Sequence, residues 1–478
     1  MAILLEGAVL SVGIDDLDEG YFAQQALRVV HGQVPYRDFD SLYTPGLLYL
    51  HAAVFGALGG PSLLGVRLVA LLGRACIGGL MYVLGRAFAR PAWAVAAPLF
   101  LLIALDAAPE RWEPHPGWPS TALALLSVCL FPRHPLAAGG VAGLSFAFKQ
   151  NTGLLVLGAA VFFAWMARGD GRAWRARVRH VVTAFAVVTL AWLLPLLVAI
   201  DGQVTRLAPF VGGVNQVALF SPPEPLDLLP IAAAALGAWY GWRRCRHPLL
   251  AWYLVAGGFL FLTEYPRMDA LHLVWSAPLL LVVGAIAVDR LAAQVGVLAV
   301  ATLVLAALPM VGWRTEWLGQ SLARLSGVPV ADGLLVPART RDDLEGVVSD
   351  VRARTAPNEP IFVYPTSPLL YVLAERHNPT RYDHLYPGAA PPSEVQATIA
   401  DLAAVRVVVN GAFWTPFFGS GGDNLPLEHY VAEHYREVAR YGAYHVLERA
   451  ETDSEQPDAA AGPILARMFG AEDARPRD

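Results

Sequence analysis

The feature that most constrains this 478-residue chain is a succession of apolar runs that fills its first two thirds. About ten runs approach the roughly 20 residues that an α-helix needs to cross a bilayer. Hydrophobic residues make up 55% of the chain and charged residues only 16%, a balance outside the usual globular range. We therefore predict a polytopic α-helical membrane protein with about 10 to 11 transmembrane helices. The runs lie near 62–85, 91–107, 117–131, 136–148, 151–167, 181–200, 227–242, 248–263, 271–288 and 293–312.

Arginines in alternate loops orient these predicted helices. Loops rich in arginine lie on the cytoplasmic side of a membrane. A single alternation of cytoplasmic and outer loops agrees with the charge of every loop. It places the remaining loops and everything after residue 313 on the outer face. The arginine-bearing loops contain Arg86 and Arg90; Arg133; Arg168, Arg172, Arg175, Arg177 and Arg179; Arg243, Arg244 and Arg246; and Arg290. The outer loops are 1–61, 107–117, 148–151, 201–226 and 263–271.

These patterns divide the chain into three parts. Residues 1–313 form the predicted membrane domain, whose first outer loop covers 14–61 and includes a short interfacial helix near 46–59. Residues 1–13 are apolar but too short to span a membrane. We therefore expect that the sequence begins within a longer first helix. Residues 314–450 alternate short strands with helices, which predicts a small outer α/β domain. Residues 451–478 are predicted to be disordered.

Specific elements are predicted within the outer parts. Helices are expected near 341–355, 367–376, 393–404 and 427–440, and strands at Ile361–Tyr364, Tyr382–Leu385, Val405–Asn410 and His445–Glu448. An amphipathic helix is predicted to begin at Asp18 and to end at Gly32, with Phe22, Ala26 and Val29 facing the bilayer.

Four acids open this first outer loop: Asp15, Asp16, Asp18 and Glu19. Carboxylates this close together repel one another and are costly to hold beside hydrocarbon. One interpretation is a functional site that needs them. The other is a solvated helix N-terminus, where the helix dipole favours acids.

The second outer loop contains two carboxylates and a histidine, Glu110, Glu113 and His115, together with Trp112 and Trp118. Rings for stacking and acids for hydroxyl groups suit a sugar-binding site. An interfacial belt of aromatic residues with solvated charges has the same composition. The loop alone leaves both interpretations open.

Two cations and a histidine complete the predicted outer-face candidates. Lys149 is the one lysine of the chain and interrupts an apolar run, and Arg267 and His272 lie in a later outer loop. Fixed cations at the membrane surface suit a phosphate group. Long basic side chains also snorkel to the interface without any ligand. The convergence of Lys149 and Arg267 with the acids on one face favours the phosphate site.

Several other chemistries lack their motifs. The chain has no zinc-type cysteine or histidine spacing, no Gly-x-Ser-x-Gly nucleophile motif and no phosphate-binding Gly-Lys loop. The short cytoplasmic loops leave no room for a nucleotide-sugar site, and we expect no nucleic-acid partner. No resident cofactor is predicted, although Asp15, Asp16, Asp18 and Glu113 have the chemistry to coordinate a divalent cation.

The first outer loop resembles a known pattern. Its segments are Leu17-Asp18-Glu19-Gly20-Tyr21-Phe22, His31-Gly32, Pro35-Tyr36-Arg37-Asp38 and Tyr43-Thr44-Pro45-Gly46. They look like the corresponding loop of GT-C membrane glycosyltransferases of the family 39 and Rgt-like type, relatives of protein O-mannosyltransferases and lipid A aminoarabinose transferases. The glycine-rich run that ends at Lys149 and the turn with Arg267 and His272 are also similar.

The resemblance implies an inverting glycosyltransferase in the bacterial cytoplasmic membrane that uses a polyprenyl-phosphate sugar donor. Asp18 then corresponds to the general base, assisted by Glu19, and Lys149 and Arg267 would meet the charge of the leaving phosphate. The same likeness places Asp16, Tyr43, Glu110, Glu113, His115 and His272 among the substrate-binding residues. The acceptor would be an envelope glycan, lipid or protein, with membrane lipid as surroundings. Aminoarabinose transferases carry a lysine before the proline pair where this chain has Tyr43-Thr44-Pro45, so donor identity can differ.

Two other classes compete with this interpretation. A transporter or flippase for a lipid-linked or envelope substrate also has many spans and a few polar groups. Such proteins place ionisable residues near the bilayer midplane, whereas the acids here gather at one face. The third class is a non-catalytic scaffold for envelope polysaccharide assembly, which the intact acidic cluster disfavours.

Overall fold

The apolar runs form helices that end where proline, glycine or a polar residue interrupts them. The computed structural model describes residues 3, 7, 9–101, 114–168, 173–207, 228–265, 270–295, 321–411 and 422–450. The helices of the first part are α1 Asp18–Val30, α2 Gly46–Leu58, α3 Leu63–Arg86, α4 Pro91–Phe100, α5 Gly117–Leu130, α6 Pro135–Phe148, α7 Gln150–Met166, α8 Ala173–Ala199, α9 Leu228–Tyr240, α10 Pro248–Phe261, α11 Ala270–Ser276 and α12 Pro278–Val295.

The helices confirm most of the predicted apolar elements but not their lengths. Among the described residues, Leu63–Arg86 and Ala173–Ala199 are long and apolar enough to cross a membrane, and six further apolar helices have 10–17 residues. The run predicted at 271–288 is two helices, because Pro278 occupies the first position of the second one. The runs near 91–107 and 293–312 extend beyond the described residues.

Small residues allow the apolar helices to approach closely. Gly139 and Gly143 lie one turn apart on α6 and face α8, where a Cβ on Gly143 would lie 2.9 Å from the carbonyl oxygen of Phe185. Pairs of small residues at this spacing are typical of helix contacts in membranes. The α5 and α6 helices are joined by Ser120, whose hydroxyl lies 2.9 Å from that of Ser145. The result is a continuous apolar core through α3 to α12.

The C-terminal part is an α/β domain, as predicted. Its four-stranded sheet has the order β3-β4-β6-β5, in which β3 and β4 are parallel and the other neighbours are antiparallel. Helices cover both faces of the sheet, and β4 is accordingly buried along its whole length. The elements are β1 Leu322–Arg324, β2 Leu335–Pro337, α13 Ala338–Arg354, β3 Ile361–Tyr364, α14 Leu369–Ala374, α15 Pro392–Asp401, β4 Val407–Gly411, α16 Leu425–His434, β5 Tyr435–Tyr441 and β6 Tyr444–Arg449.

Two predictions for this domain were wrong. The segment 382–385 forms no strand, because its polar groups bond to side chains and to the first outer loop instead of to a neighbouring strand. The predicted helix at 427–440 ends at His434, and Tyr435–Tyr441 pairs with β6 as an edge strand. Pairing with the next strand, β6, in a hairpin overrides the local helical pattern there.

The C-terminal domain packs directly on the first outer loop. Helix α1 lies against α14 so closely that a Cβ on Gly20 would lie 2.5 Å from the backbone nitrogen of Leu369. Phe22 and Ala26, which were predicted to face the bilayer, are buried. Burial of apolar area against protein replaces burial in lipid at these positions. The backbone of Gly13 also bonds to Leu335 of β2, with an N–O distance of 2.8 Å.

Candidate functional site

One buried arginine, Arg67 of α3, holds the acidic segment at both ends. Its Nε and Nη2 atoms donate to the two carboxylate oxygens of Glu19 at 2.6 and 2.8 Å. It also donates to the carbonyl oxygens of Leu10 at 2.9 Å and Gly13 at 2.8 Å. Both charged side chains are fully buried. Glu19 therefore positions the segment, and its carboxylate is sealed away from solvent.

The other three acids have separate environments. Asp15 accepts a hydrogen bond from the backbone of Leu17 at 3.0 Å, which shapes the turn before α1. Asp16 accepts from the hydroxyl of Ser367 at 3.0 Å and so faces the C-terminal domain. Asp18 is half-buried and is the first residue of α1, where the helix dipole favours a carboxylate. Asp15, Asp16 and Glu19 thus each have a different hydrogen-bond partner.

Four of the predicted substrate-binding residues meet around a tryptophan, Trp275. The ring of His115 stacks on the indole at 4.0 Å between centroids, and that of His272 meets it edge-on at 5.4 Å. The ammonium group of Lys149 lies 5.0 Å from the indole centroid, a favourable cation–π distance. Tyr43 joins the group through His115 at 3.0 Å. We call these five residues the Trp275 cluster.

One histidine of this cluster, His115, has a defined proton position. The Nδ1 atom of His115 accepts from the backbone N–H of Gly117 at 3.0 Å, so a neutral ring carries its proton on Nε2. That proton is donated to the hydroxyl oxygen of Tyr43. Glycine is required at position 117, because a Cβ there would lie 2.6 Å from the Trp275 ring.

Local backbone contacts explain how Tyr43 and Lys149 come together. The hydroxyl of Thr44 donates to the carbonyl of Phe146 at 2.9 Å, and a Cβ on Gly46 would lie 2.5 Å from the carbonyl oxygen of Ala147. The loop after Tyr43 is thus docked on the end of α6. Lys149 has an extended backbone between α6 and α7, which directs its side chain out of the helical run.

Helix α1 connects Asp18 with the Trp275 cluster. The ring of Phe22 lies 5.6 Å from that of Tyr43 and 6.1 Å from that of His115. Because residues four apart share one face of a helix, Asp18 lies one turn from this contact on the same face. Side chains also lean towards the helix N-terminus, which brings Phe22 closer to the level of Asp18.

Sequence reasoning missed two residues of this site, Trp275 and Arg74. Trp118 meets Trp275 edge-on at 5.6 Å, and the guanidinium of Arg74 lies 4.4 Å from the Trp118 ring. An arginine within an apolar span is expensive unless it has a role, so the position of Arg74 in α3 was an available signal. Trp275 gave no such signal, because tryptophan is common at membrane interfaces.

Three predicted residues, Glu110, Glu113 and Arg267, lie outside the described residues. Within the part of the chain that the structure describes, no group of three or more histidine, cysteine or acidic residues is arranged to hold a metal ion. Glu113, one of the four acids with the chemistry to coordinate a divalent cation, lies outside these residues.

No family model and no curated protein matches this chain. Solved structures do match its fold. ArnT from Cupriavidus metallidurans, bound to undecaprenyl phosphate, has a TM-score of 0.57 at 15% identity, over 95% of this chain and 98% of that one. The Archaeoglobus fulgidus oligosaccharyltransferase, in complex with zinc and sulfate, has a TM-score of 0.56 at 14% identity, over 93% and 73%. Both are members of the GT-C superfamily.

The chain has the GT-C fold. The likeness extends over nearly the whole length of ArnT, a lipid A aminoarabinose transferase, including the part that follows the apolar helices. The archaeal oligosaccharyltransferase AglB from Archaeoglobus fulgidus, in complex with an inhibitory peptide and a dolichol-phosphate, gives a TM-score of 0.52 at 13% identity, over 95% of this chain and 74% of that one. The GT-C resemblance read from the first outer loop is thereby confirmed at the level of the fold.

Proposed function

We propose that this protein is an inverting glycosyltransferase that moves a sugar from a polyprenyl-phosphate donor to a hydroxyl group of an envelope acceptor. The reaction would take place on the outer face of the bacterial cytoplasmic membrane. The observation that carries the proposal is the Trp275 cluster, which brings a lysine, two histidines and a tyrosine together beneath the helix that begins at Asp18.

The Trp275 cluster has the chemistry of a phosphate and sugar site. Lys149 supplies a fixed positive charge, which would stabilise the charge that develops on the departing lipid phosphate. The indole Nε1 of Trp275 is buried, and within the described residues it has no hydrogen-bond acceptor. A buried N–H without a partner is costly, so an oxygen of the bound donor is its natural acceptor. Two GT-C neighbours are bound to undecaprenyl phosphate and dolichol-phosphate, which supports a polyprenyl-phosphate donor.

In this mechanism Asp18 acts as the general base. Its carboxylate accepts the proton of the acceptor hydroxyl as the oxygen attacks the anomeric carbon of the donor. The bond from that carbon to the phosphate oxygen breaks on the opposite face, which inverts the configuration. Glu19 has a positioning role and takes no proton, because both of its carboxylate oxygens accept hydrogen bonds from Arg67. Arg267, Glu110 and Glu113 stay proposed substrate contacts.

The test is transfer of radiolabelled sugar from polyprenyl-phosphate donors to extracted envelope acceptors by membranes that contain the protein. Asp18→Asn keeps the shape of the side chain and should lower the transfer rate by about 100-fold or more, the usual range for a lost general base. Asp342→Asn is the matched control, because Asp342 is an exposed surface residue of α13. It should transfer at the wild-type rate.

Three outcomes distinguish the alternatives. Loss of transfer in an inserted Asp18→Asn variant, with the control intact, supports the enzyme and its base. Equal transfer by both variants keeps the enzyme and rejects Asp18 as the base. If the inserted wild-type protein transfers no sugar from any donor, the glycosyltransferase proposal is rejected in favour of the transporter or scaffold.

A further inference from the structure

A group of exposed arginines lies at the opposite end of α6 from Lys149, on the predicted cytoplasmic side. We call it the arginine patch, and its members are Arg133, Arg168, Arg175, Arg177 and Arg179, all of them exposed. Arginine on this side agrees with the predicted topology. Topology alone, however, does not require arginines of different loops to gather in one place.

The packing of α6 on α8 brings these arginines together. Gly139 and Gly143 of α6 pack against Val181 and Phe185 of α8. The offset in sequence number is the same in both pairs, so the two helices run in the same direction. Their first turns therefore lie side by side, and the same offset places Arg133, in the loop before α6, next to the first turn of α8. Helix α7 ends shortly before α8 begins, which adds the arginine that follows α7.

The arginines of α8 lie at the level of the lipid headgroups. Residues 181–199 of this helix carry no charged side chain, and at 1.5 Å per residue they cover about 28 Å, close to the roughly 30 Å of bilayer hydrocarbon. Residues 173–180 therefore extend about 12 Å beyond the hydrocarbon. The guanidinium of Arg168 lies 4.6 Å from the ring of Trp165, and tryptophan favours the same headgroup level.

Within the described part of the chain, no carboxylate balances the charge of the arginine patch. Among the described residues on this side of the membrane domain, Asp289 is the one acid. Its two oxygens accept from Nε and the backbone nitrogen of Arg90, at 2.6 and 2.9 Å. The patch therefore keeps five positive charges. Like charges on neighbouring helix ends repel one another, and an anion bound between them removes that repulsion.

An exposed apolar stripe continues from the arginines along α8. Val187, Leu190, Leu194 and Val198 recur every three or four residues and are between 45% and 78% exposed. The helix is 17% buried over its most apolar window, against 44% for α3. Helix α8 therefore faces lipid along its length. A molecule with an anionic head and acyl chains matches both parts of this surface.

We propose that the arginine patch binds the headgroup of an anionic phospholipid whose acyl chains lie along the stripe on α8. Guanidinium groups suit this role, because each donates two parallel hydrogen bonds to phosphate oxygens. The occupant is a lipid with two linked phosphates, because five arginines offer more charge than one phosphate neutralises. Once the first phosphate is bound, the link holds the second one at a high local concentration. This lipid site does not depend on the proposed transfer reaction, because it lies at the other end of α6 from the Trp275 cluster.

Native mass spectrometry of the full chain, released from detergent micelles, measures lipid binding without turnover. The protein is titrated with cardiolipin, which has two phosphates, with phosphatidylglycerol, which has one, and with zwitterionic phosphatidylethanolamine. Cardiolipin should bind at least about tenfold more tightly than either of the other two lipids.

Two double variants test the role of the charge. Arg175→Gln with Arg179→Gln removes two charges and keeps polar side chains of similar length. Each basic residue near an anionic lipid contributes about fivefold in affinity, so this variant should bind cardiolipin about 25-fold more weakly. Arg175→Lys with Arg179→Lys keeps both charges and should stay within about fivefold of the wild type. Size-exclusion elution and thermal melting identify a variant that has not folded, and the single change Arg179→Gln, with an expected loss of about fivefold, then replaces it.

The matched control is Arg243→Gln with Arg244→Gln. These two arginines are exposed on the same predicted side of the membrane, between α9 and α10, and lie outside the patch. Their loss should change the cardiolipin affinity by no more than about twofold, because salt screens distant surface charges.

Three results would overturn the proposal. In the first, cardiolipin binds no more tightly than either of the other lipids. In the second, both glutamine double variants lose the same affinity, so the arginines act only as a general charge on this side of the membrane. In the third, millimolar inorganic phosphate displaces cardiolipin, so the site takes a free anion instead of a lipid.

Discussion

Glu19→Gln should destabilise this protein far more than a surface change of the same kind. The substitution keeps the size of the side chain but leaves the guanidinium of Arg67 buried without its counter-charge. Two charge-assisted hydrogen bonds, at 2.6 and 2.8 Å, lose their ionic character. Hydrogen bonds to charged groups contribute about 1.5–3 kcal/mol each, and removal of one partner of a buried pair costs about 3–5 kcal/mol. We expect a loss in the free energy of unfolding of about 4 kcal/mol.

The exposed pair Arg37–Asp38 provides the control. Its side chains are 42% and 30% exposed, in contrast to the fully buried pair of Arg67 and Glu19. Asp38→Asn removes the same kind of charge and should cost no more than about 1 kcal/mol, because solvent screens surface pairs.

The assay is reversible unfolding in mixed micelles, followed by tryptophan fluorescence. The double variant Glu19→Leu with Arg67→Met should recover much of the lost stability, because it removes both charges together. The reasoning is refuted if the free energy of unfolding of Glu19→Gln lies within about 1 kcal/mol of the wild-type value while its sugar-transfer rate falls 100-fold or more. That result would return Glu19 to the catalytic role that the sequence predicted.

Four further predictions concern the first outer loop, the Trp275 cluster and its support. Burial raises the folded-state pKa of Asp40 from 3.8 to about 6, so the free energy of unfolding should fall as the pH rises from about 4 to 6 and then level off. Asp40→Asn should remove that decline and should be about 1–3 kcal/mol more stable than the wild type at pH 7. Unfolding measured as a function of pH checks both outcomes. Lys149→Met should lower kcat/KM for the donor by about 100-fold with the fold intact, because the departing phosphate loses its fixed cation. Trp275→Phe keeps an aromatic ring but loses the indole N–H and part of the ring area, so the same parameter should fall about tenfold or more. Gly46→Ala should cost about 1–3 kcal/mol in unfolding free energy, because the added Cβ would lie 2.5 Å from the carbonyl oxygen of Ala147.

The sequence predicted many of the individual parts of the candidate site. Lys149, His115, Tyr43 and His272 could be selected from their residue types and from the loops in which they lie. Their grouping could not be predicted, because Trp275 joins them and its position in the sequence resembles that of any interfacial tryptophan. The role of Glu19 was also hidden, since its partner Arg67 is 48 positions away.

Local composition by itself determined the apolar helices, the amphipathic α1 and the α/β character of the C-terminal part, because burial in an apolar medium depends on each segment's own side chains. Contacts between segments decided the rest. The buried face of α1 arises where the C-terminal domain meets the first outer loop, and the strand at Tyr435–Tyr441 arises from pairing with β6. The free energy of such contacts depends on which surfaces meet in three dimensions, and no periodicity within one segment records its partner.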